Sequence, residues 1–553
     1  MELEIFWSRL IQIVDEGAVT LRRTAFSPVA REALDFAVVL LDRDGGSVAQ
    51  SNITVPGFIG TLPRTVRHFL AKYRAEEMAP GDIIITNDPW MGTGHLPDLN
   101  MAMPIFHRDR IIGFAACSSH LSDVGGRIWS GDSREVFEEG LRIPPTKLVN
   151  HGRWNETLLD VISANVRVPN QVLGDMHAQV AAMEACRQRL LTTCLEYDVD
   201  DPTSVFHEIQ SRSEAAMERV IRALPEGEYA SALELDSLDE PLHVNLRLTV
   251  RGGRIVVDYA GSSPQTQEAA INCPYTYTFA LTMFPLKCLL HPTLPNNEGV
   301  FRRFEVRASE GSLVNATFPA AVNSRHATGQ YLVAGLFAAM EQVAPDLVVG
   351  DPGAPASRCV FSGQRPDGGR FSEVLLASGG MGAARFKDGL SCTAFPSNCG
   401  ISSIEMIEQH SPLLFHCKEL VPDSGGAGRF RGGLGARVVI ELLSERPAMY
   451  ASHMVRLRLP ALGRVGGLAG GLAGLRLNSN GRLPPLGRVM IAPGDRVSIG
   501  TPGGGGYGRA TERDVERVMH DLEGGIISPM ACRAIYGVDP TTGSRVSDQG
   551  STE

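Results

Sequence analysis

Lysine is the scarce charge in this chain: five residues (Lys72, Lys147, Lys287, Lys387 and Lys418) stand against 47 arginines. The arginines are scattered rather than clustered. With a net charge of −10, that gives no basic face for nucleic acid or an anionic membrane. No apolar run approaches the roughly 20 residues of a membrane helix. The ten cysteines form no Cys-x-x-Cys pair, so neither a zinc ribbon nor a disulfide framework is expected. Gly-x-x-x-x-Gly-Lys-Ser/Thr and Gly-x-Ser-x-Gly are both missing, which excludes a phosphate-binding loop and a serine nucleophile elbow. The N-terminal "MELEIFWSRLIQIVDEG" is amphipathic and acidic, unlike a leader, so a reducing cytoplasm is the expected location.

The chain is long, at 553 residues, and 43% hydrophobic, which predicts an ordered protein of several domains. Residues 1–25 read as a helix, and "LDFAVVLLDRDGGSVAQ" as a hairpin turning at Asp42–Gly46. "TLPRTVRHFLAKY" is helical after its proline, and residues 82–86 and 110–119 are apolar strands. From Asp175 to about Leu224 the apolar period is that of paired helices. "HVNLRLTVRGGRIVVDYAG" is a second hairpin, and "HATGQYLVAGLFAAMEQVAPD" a later helix. The remainder is glycine-rich and β-like, closing on a helix that ends at Gly524. We expect an α+β fold: a large, multi-layer mixed α/β protein with interleaved domains. Its regions would be 1–225 (metal-binding, with the helical pair), 226–345 (α+β) and 346–553 (Gly-rich β). "GTPGGGGYG" and "SGGAGRFRGGLG" read as tight turns, and "GGLAGGLAGL" as packed turns rather than a repeat array.

Two copies of His-x-x-Asp follow the strands at 82–86 and 110–119: His95/Asp98 and His120/Asp123. Spacing alone is weak evidence. With 14 His and an acid at about one position in nine, one or two such pairs arise by chance, and His416/Glu419 and His520/Glu523 also occur. Context is stronger, because strand-end loops rich in Gly and Pro are where a sheet presents ligands. Imidazole with carboxylate suits Zn²⁺, Mn²⁺ or Fe²⁺ better than Mg²⁺ or Ca²⁺, and two His with one or two Asp leave a position open for water. Asp35, inside the apolar "ALDFAVV", is a third candidate. Either it meets a cation or its strand is an edge and it faces water. Cys117, near His120, reads as a small buried hydrophobe rather than a nucleophile.

The stretches "NDPWMGTGHLPDLN", "HLSDVGG", "EEGLRIPPTKL", "DSGGAGRFRGGLG", "GTPGGGGYG" and "GIISPMACRAIYGV" resemble the B (beta) subunit of the ATP-dependent hydantoinase/5-oxoprolinase superfamily. That group includes N-methylhydantoinase and caprolactamase beta subunits and related subunits of acetone and acetophenone carboxylases. The resemblance implies one divalent metal, Zn²⁺ or Mn²⁺, on Asp35, His95, Asp98 and His120, with Asp123 behind them orienting a ligand His. Leu121 departs from relatives that carry a second His there. The resemblance also implies a hetero-oligomer. In it a separate ATP-binding A (alpha) subunit phosphorylates a small cyclic amide, which this chain then hydrolyses. The alternative is a ketone carboxylase subunit, whose relatives tend to be longer. A non-catalytic scaffold is disfavoured by the intact ligand set. Glu139, in "FEEGLRIPP", is the candidate general base or substrate anchor, since Gly140 lets the backbone turn close to the site. The competing reading is a solvated Glu138/Glu139 pair.

Overall fold

The computed structural model describes residues 3–127, 131–236, 240–354, 357–393 and 395–546. Its first sheet has seven antiparallel strands: β1 (Phe36–Leu41), β2 (Ser47–Gln50), β3 (Ile83–Thr86), β4 (Asp98–His107), β5 (Arg110–His120), β6 (Thr146–Asn150) and β7 (Arg153–Trp154), ordered β2-β1-β5-β4-β3-β6-β7. β1 is apolar throughout because both its faces are covered. Phe36, Val38 and Leu40 pack with Phe6, Leu10 and Ile13 of helix Leu3–Thr24 and with Cys186 of helix Pro169–Glu196. Ala37, Val39 and Leu41 pack with Leu62, Val66 and Phe69 of helix Thr61–Lys72. That last helix starts two residues before Pro63, whose missing N–H falls in the first turn where no partner is needed. The paired helices are present too, the first beginning at Pro169 rather than Asp175.

β8 (Gly227–Leu235), β9 (Leu242–Arg251), β10 (Arg254–Asp258) and β11 (Phe304–Arg307) form a second sheet, with Gly252 and Gly253 at positive φ in the β9–β10 turn. Leu246, Leu248 and Val257 share a core with helices Tyr275–Leu290 and His326–Val343, both buried nearly all round. The C-terminal part holds two interleaved four-stranded sheets. β12 (Ser357–Gln364), β13 (Arg370–Ala377), β16 (Ala448–His453) and β18 (Leu486–Ile491) make one; β14 (Leu413–Leu420), β15 (Ala436–Leu442), β17 (Gly474–Leu477) and β19 (Arg496–Gly500) make the other. Phe361 and Tyr450 of the first meet Val438, Ile440 and Val497 of the second in one core. The architecture is mixed α/β with several sheets, as the sequence predicts.

The glycine-rich stretches are not tight turns. Gly503, Gly504, Gly505 and Gly506 donate in succession to the carbonyls of Gly471, Gly433, Asp351 and Leu468, at 2.9–3.1 Å. Four consecutive amides thus reach three different chain segments. A Cβ on Gly503 would overlap the carbonyl of Ser424, and one on Gly504, Gly505 or Gly506 another backbone carbonyl. The segments approach so closely that only backbone fits between them.

Candidate metal centre

Three strand ends meet at one edge of the seven-stranded sheet. His120 closes β5 opposite Asp98, which opens β4. On its other side the His120 amide donates to the carbonyl of Asp35 at 2.9 Å, one residue before Phe36 pairs with Ser119. Residues directly opposite in an antiparallel sheet project to one face, so Asp98, His120 and Asp35 form a row across β4, β5 and β1. Asp98 and His120 are therefore strand residues rather than loop residues, and β1 is an interior strand, which removes the edge-strand reading of Asp35. His95 comes from the loop before β4. Asn87 fastens that loop by donating to the carbonyls of Leu96 and Leu141 at 2.9 Å each. Gly94, at φ 101°, lets it close on Arg325, where a Cβ would lie 2.8 Å from the guanidinium stem.

All four side chains are buried, Asp35 at 3% exposure and the others at 1%. Asp98 Oδ1 stands 2.8 Å from His95 Nε2 and 2.9 Å from His120 Nδ1. Asp98 Oδ2 accepts from Thr93 Oγ1 at 2.6 Å and Arg325 Nη2 at 2.8 Å. Asp35 Oδ2 lies 3.9 Å from His120 Nδ1 and accepts no hydrogen bond among the described residues. The tautomer of His95 is the telling detail. Its Nδ1 is 3.2 Å from the carbonyl of Asn323. A carbonyl can only accept, so Nδ1 carries the proton and Nε2 turns a lone pair toward Asp98. That contact is repulsive unless a cation lies between them.

The titration behaviour agrees. Burial, then the Arg325 charge, holds the His95 imidazole well below its ordinary range, so it is neutral. Burial would raise Asp98, but the neighbouring His95, Arg325 and His120 outweigh it and hold the carboxyl well below its usual range. Burial pushes Asp35 up, against the opposing pull of His120. Removing an ion from water costs several kcal/mol even after relaxation, comparable to what burying two or three core side chains contributes. A shared cation is the economical counter-charge. The ligand atoms of His95, Asp98 and His120 lie within 4.8 Å of one another, and the mixed N/O donors suit a first-row divalent metal.

Asp123 and Glu139 stand beside this row. Asp123 accepts from the Gly125 amide at 3.0 Å, from the Arg167 amide, and from Arg167 Nη1 at 2.7 Å. Any hold it has on His120 therefore runs through the loop between them. Glu139 is buried, and its Oε1 accepts from the amides of Val322 and Asn323 at 2.8 Å each. Burial pushes its carboxyl up to about 8. Glu138 instead pairs outward with Arg127 at 2.6 Å. Of the two acids, Glu139 is the inward one, beside Gly140 at φ 142°.

Sequence reading passed over the opposite wall. Arg325 caps helix His326–Val343, with its guanidinium 4.1 Å from the centre of the Tyr277 ring. His326 stacks on His453 with centroids 5.3 Å apart. Burial, then the Arg358 charge, keeps the His326 imidazole well below its ordinary range. Arg358 pairs in β12 opposite His453, the last residue of β16. The available signals were slight: "NSRH" heading an otherwise apolar helix, and an arginine within the apolar "SRCVF".

Fold and site together define a mixed α/β protein that gathers two histidines and two aspartates, fully buried, at the ends of three neighbouring strands. The chain belongs to the Hydantoinase B/oxoprolinase family, whose profile matches residues 1–510. It is 33% identical over 547 residues to a Methanocaldococcus jannaschii protein of uncharacterized function, covering 97% of this chain and 95% of that one. It is 29% identical to the caprolactamase beta subunit of Pseudomonas jessenii, covering 95% and 93%. The crystal structure of the ATP-dependent caprolactamase from Pseudomonas jessenii superposes with a TM-score of 0.91 at 27% identity, covering 99% of this chain and 97% of that one. Among the described residues no helix is long and apolar enough to cross a membrane.

Proposed function

We propose that this chain is the metal-carrying B subunit of an ATP-dependent cyclic-amide hydrolase, acting on an amide that a partner A subunit has phosphorylated. The observation that carries the reading is the His95 Nε2 lone pair facing Asp98 Oδ1, in a row completed by His120 and Asp35. Support comes from relatives named as hydantoinase B and caprolactamase beta subunits, names that imply a second chain. A Zn²⁺ or Mn²⁺ ion held by these four residues would supply Lewis-acid activation of water and of the substrate carbonyl.

The chain's own residues prepare that chemistry. Asn323 fixes the His95 tautomer, Arg325 and Thr93 fix the outer oxygen of Asp98, and burial keeps His95 neutral so that its lone pair is available. Glu139, protonated near neutral pH, lines a small cavity beside His120 and is assigned as the proton carrier. In the overall reaction one water adds to the carbon that bears the phosphorylated oxygen, the ring C–N bond breaks as the nitrogen takes up a proton, and a second water releases phosphate from the resulting acyl phosphate to leave a carboxylate.

The test is to purify the A/B pair and follow ATP consumption with lactams, with hydantoins, and with ketones plus bicarbonate. Ring opening coupled to ATP use supports the proposal; carboxylation of a ketone instead overturns it. Elemental analysis of the isolated chain should find about one metal per chain, and His95→Ala should lose it. Full metal content in His95→Ala would refute the ligand assignment.

A further inference from the structure

Beside the metal row lies a cavity with about 40 Å³ open to the centres of water-sized molecules, room for a few such groups. Asp35 and Asp98 form part of its wall, and Arg325, His326 and Arg358 another part. Three polar atoms of this wall are uncompensated. Arg325 spends Nε on the Thr93 carbonyl and Nη2 on Asp98, but its Nη1 is buried with no hydrogen-bond partner among the described residues. Both ring nitrogens of His326 are in the same condition, in a residue that is 8% exposed. A buried polar atom with no partner is costly, whichever side of a hydrogen bond it takes. Three on one cavity wall mark a place where a ligand, rather than the fold, supplies the partners.

The chemistry of the wall selects that ligand. Arg325 Nη1 can only donate, a neutral imidazole can donate from either nitrogen, and Arg358 adds a second fixed positive charge. Such a set accepts an anionic oxygen group. The cavity shares Pro396 and Cys399 with a wider outer cleft of about 650 Å³, walled by apolar side chains such as Ile53, Phe284, Met381 and Phe395. An apolar ring in the cleft would place its charged substituent in the inner cavity, next to Asp98.

We propose that Arg325, His326 and Arg358 form an oxyanion cradle for the substrate, and that its occupant is the phosphoryl group placed on the amide oxygen by activation. This rests on the function proposed above. A tetrahedral phosphoryl offers three peripheral oxygens to the three donors, whereas a substrate carboxylate offers two. The metal row then faces the carbon that bears the phosphorylated oxygen.

The test uses inorganic phosphate and acetate as probes of the isolated full-length chain, by calorimetry, with metal content measured in every sample. Phosphate should bind at least about tenfold more tightly than acetate, and His326→Ala and Arg358→Met should each weaken it by about tenfold or more at unchanged metal content. His326→Gln and Arg358→Lys, which keep a donor, should fall between parent and deletion, and they decide the matter if the deletions do not fold. Phosphate binding indifferent to both positions, or absent from the parent, overturns the cradle. Acetate binding more tightly overturns the phosphoryl assignment in favour of a substrate carboxylate. Because the measurement needs no A subunit, its failure is distinct from failure of the hydrolase reading: phosphate can bind as expected in a chain whose A/B pair opens no lactam, and the reverse.

Discussion

Two regions of this molecule are built to opposite rules. At the ends of β1, β5 and β4 charged side chains fill the space, and their positions are set by one another: Asp98 by Thr93 and Arg325, His95 by Asn323. In the glycine bundle around residues 503–506 the segments meet backbone to backbone, the amides of one being satisfied by carbonyls of three others. The first region is positioned by charge, the second by closeness of fit between backbones. The contrast separates a failure to fold from a failure to bind.

The largest expected effect follows from the bundle. Gly503→Ala places a Cβ on the carbonyl of Ser424, and the segments must part to admit it. We expect a loss of several kcal/mol, above the ~1–3 kcal/mol of ordinary overpacking, seen as insoluble protein or a collapsed thermal transition. Gly474→Ala is the matched control. No atom lies within 4 Å of a Cβ there, so its melting curve should overlay the parent's. If both alanines behave alike, close backbone packing is not what holds this region.

Asp98→Asn attacks the other rule, keeping shape while removing charge. It leaves Arg325 without its buried carboxylate, and breaking one partner of a buried pair costs about 3–5 kcal/mol. It also removes the charge on which His95 and His120 converge, so metal content should fall in parallel. A variant that melts lower but keeps its metal would show that Asp98 serves Arg325 alone.

How much of this was legible in sequence follows the same divide. His95, Asp98 and His120 drew attention because His-x-x-Asp beside an apolar strand is a local pattern, whereas Asp35 was left open by its own residues and joined them only through the family resemblance. β4 was not read as a strand, because its "LNMAMPIFH" carries Pro104 and no clean alternation. Arg325, His326 and Arg358 were invisible because they reach the site from more than 200 positions away, carried by a helix and a strand whose own patterns are merely apolar. The glycine stretches were seen but misread. Glycine in sequence signals freedom, and only the fold reveals that here it signals crowding.

Glu139 joins the two styles, a buried acid tied to backbone amides. With a carboxyl raised to about 8 from an ordinary value near 4.5, the folded state holds a proton that the unfolded state has lost. Its contribution is fully present below the unfolded value and is lost as pH rises through about 8. The parent should therefore lose on the order of 3 kcal/mol between pH 5 and 9 from this group, and Glu139→Gln, neutral throughout, should not. Denaturant melts of both proteins across that range make the comparison; parallel pH profiles would mean that Glu139 is already ionised at neutral pH. In the A/B pair the same substitution should lower kcat with metal content unchanged.

The smallest effect is expected at Asp123, and it asks how far the rule of charge extends beyond the metal row. Asp123 is buried, but its partner Arg167 is partly exposed, and of the two backbone amides it holds, one on each oxygen, an asparagine oxygen can still accept one. Asp123→Asn should therefore cost about 2 kcal/mol. If Asp123 steadies His120 through the loop of residues 121–126, metal affinity should weaken modestly, by about tenfold, with the amount bound at saturation unchanged. Arg167→Met, which leaves the aspartate in place but removes its ion pair, should do the same to a lesser degree. Metal titrations of the two variants against the parent decide this. An affinity equal to the parent's in both would confine Asp123 to holding its own loop, and the charge-built region would then end at His120.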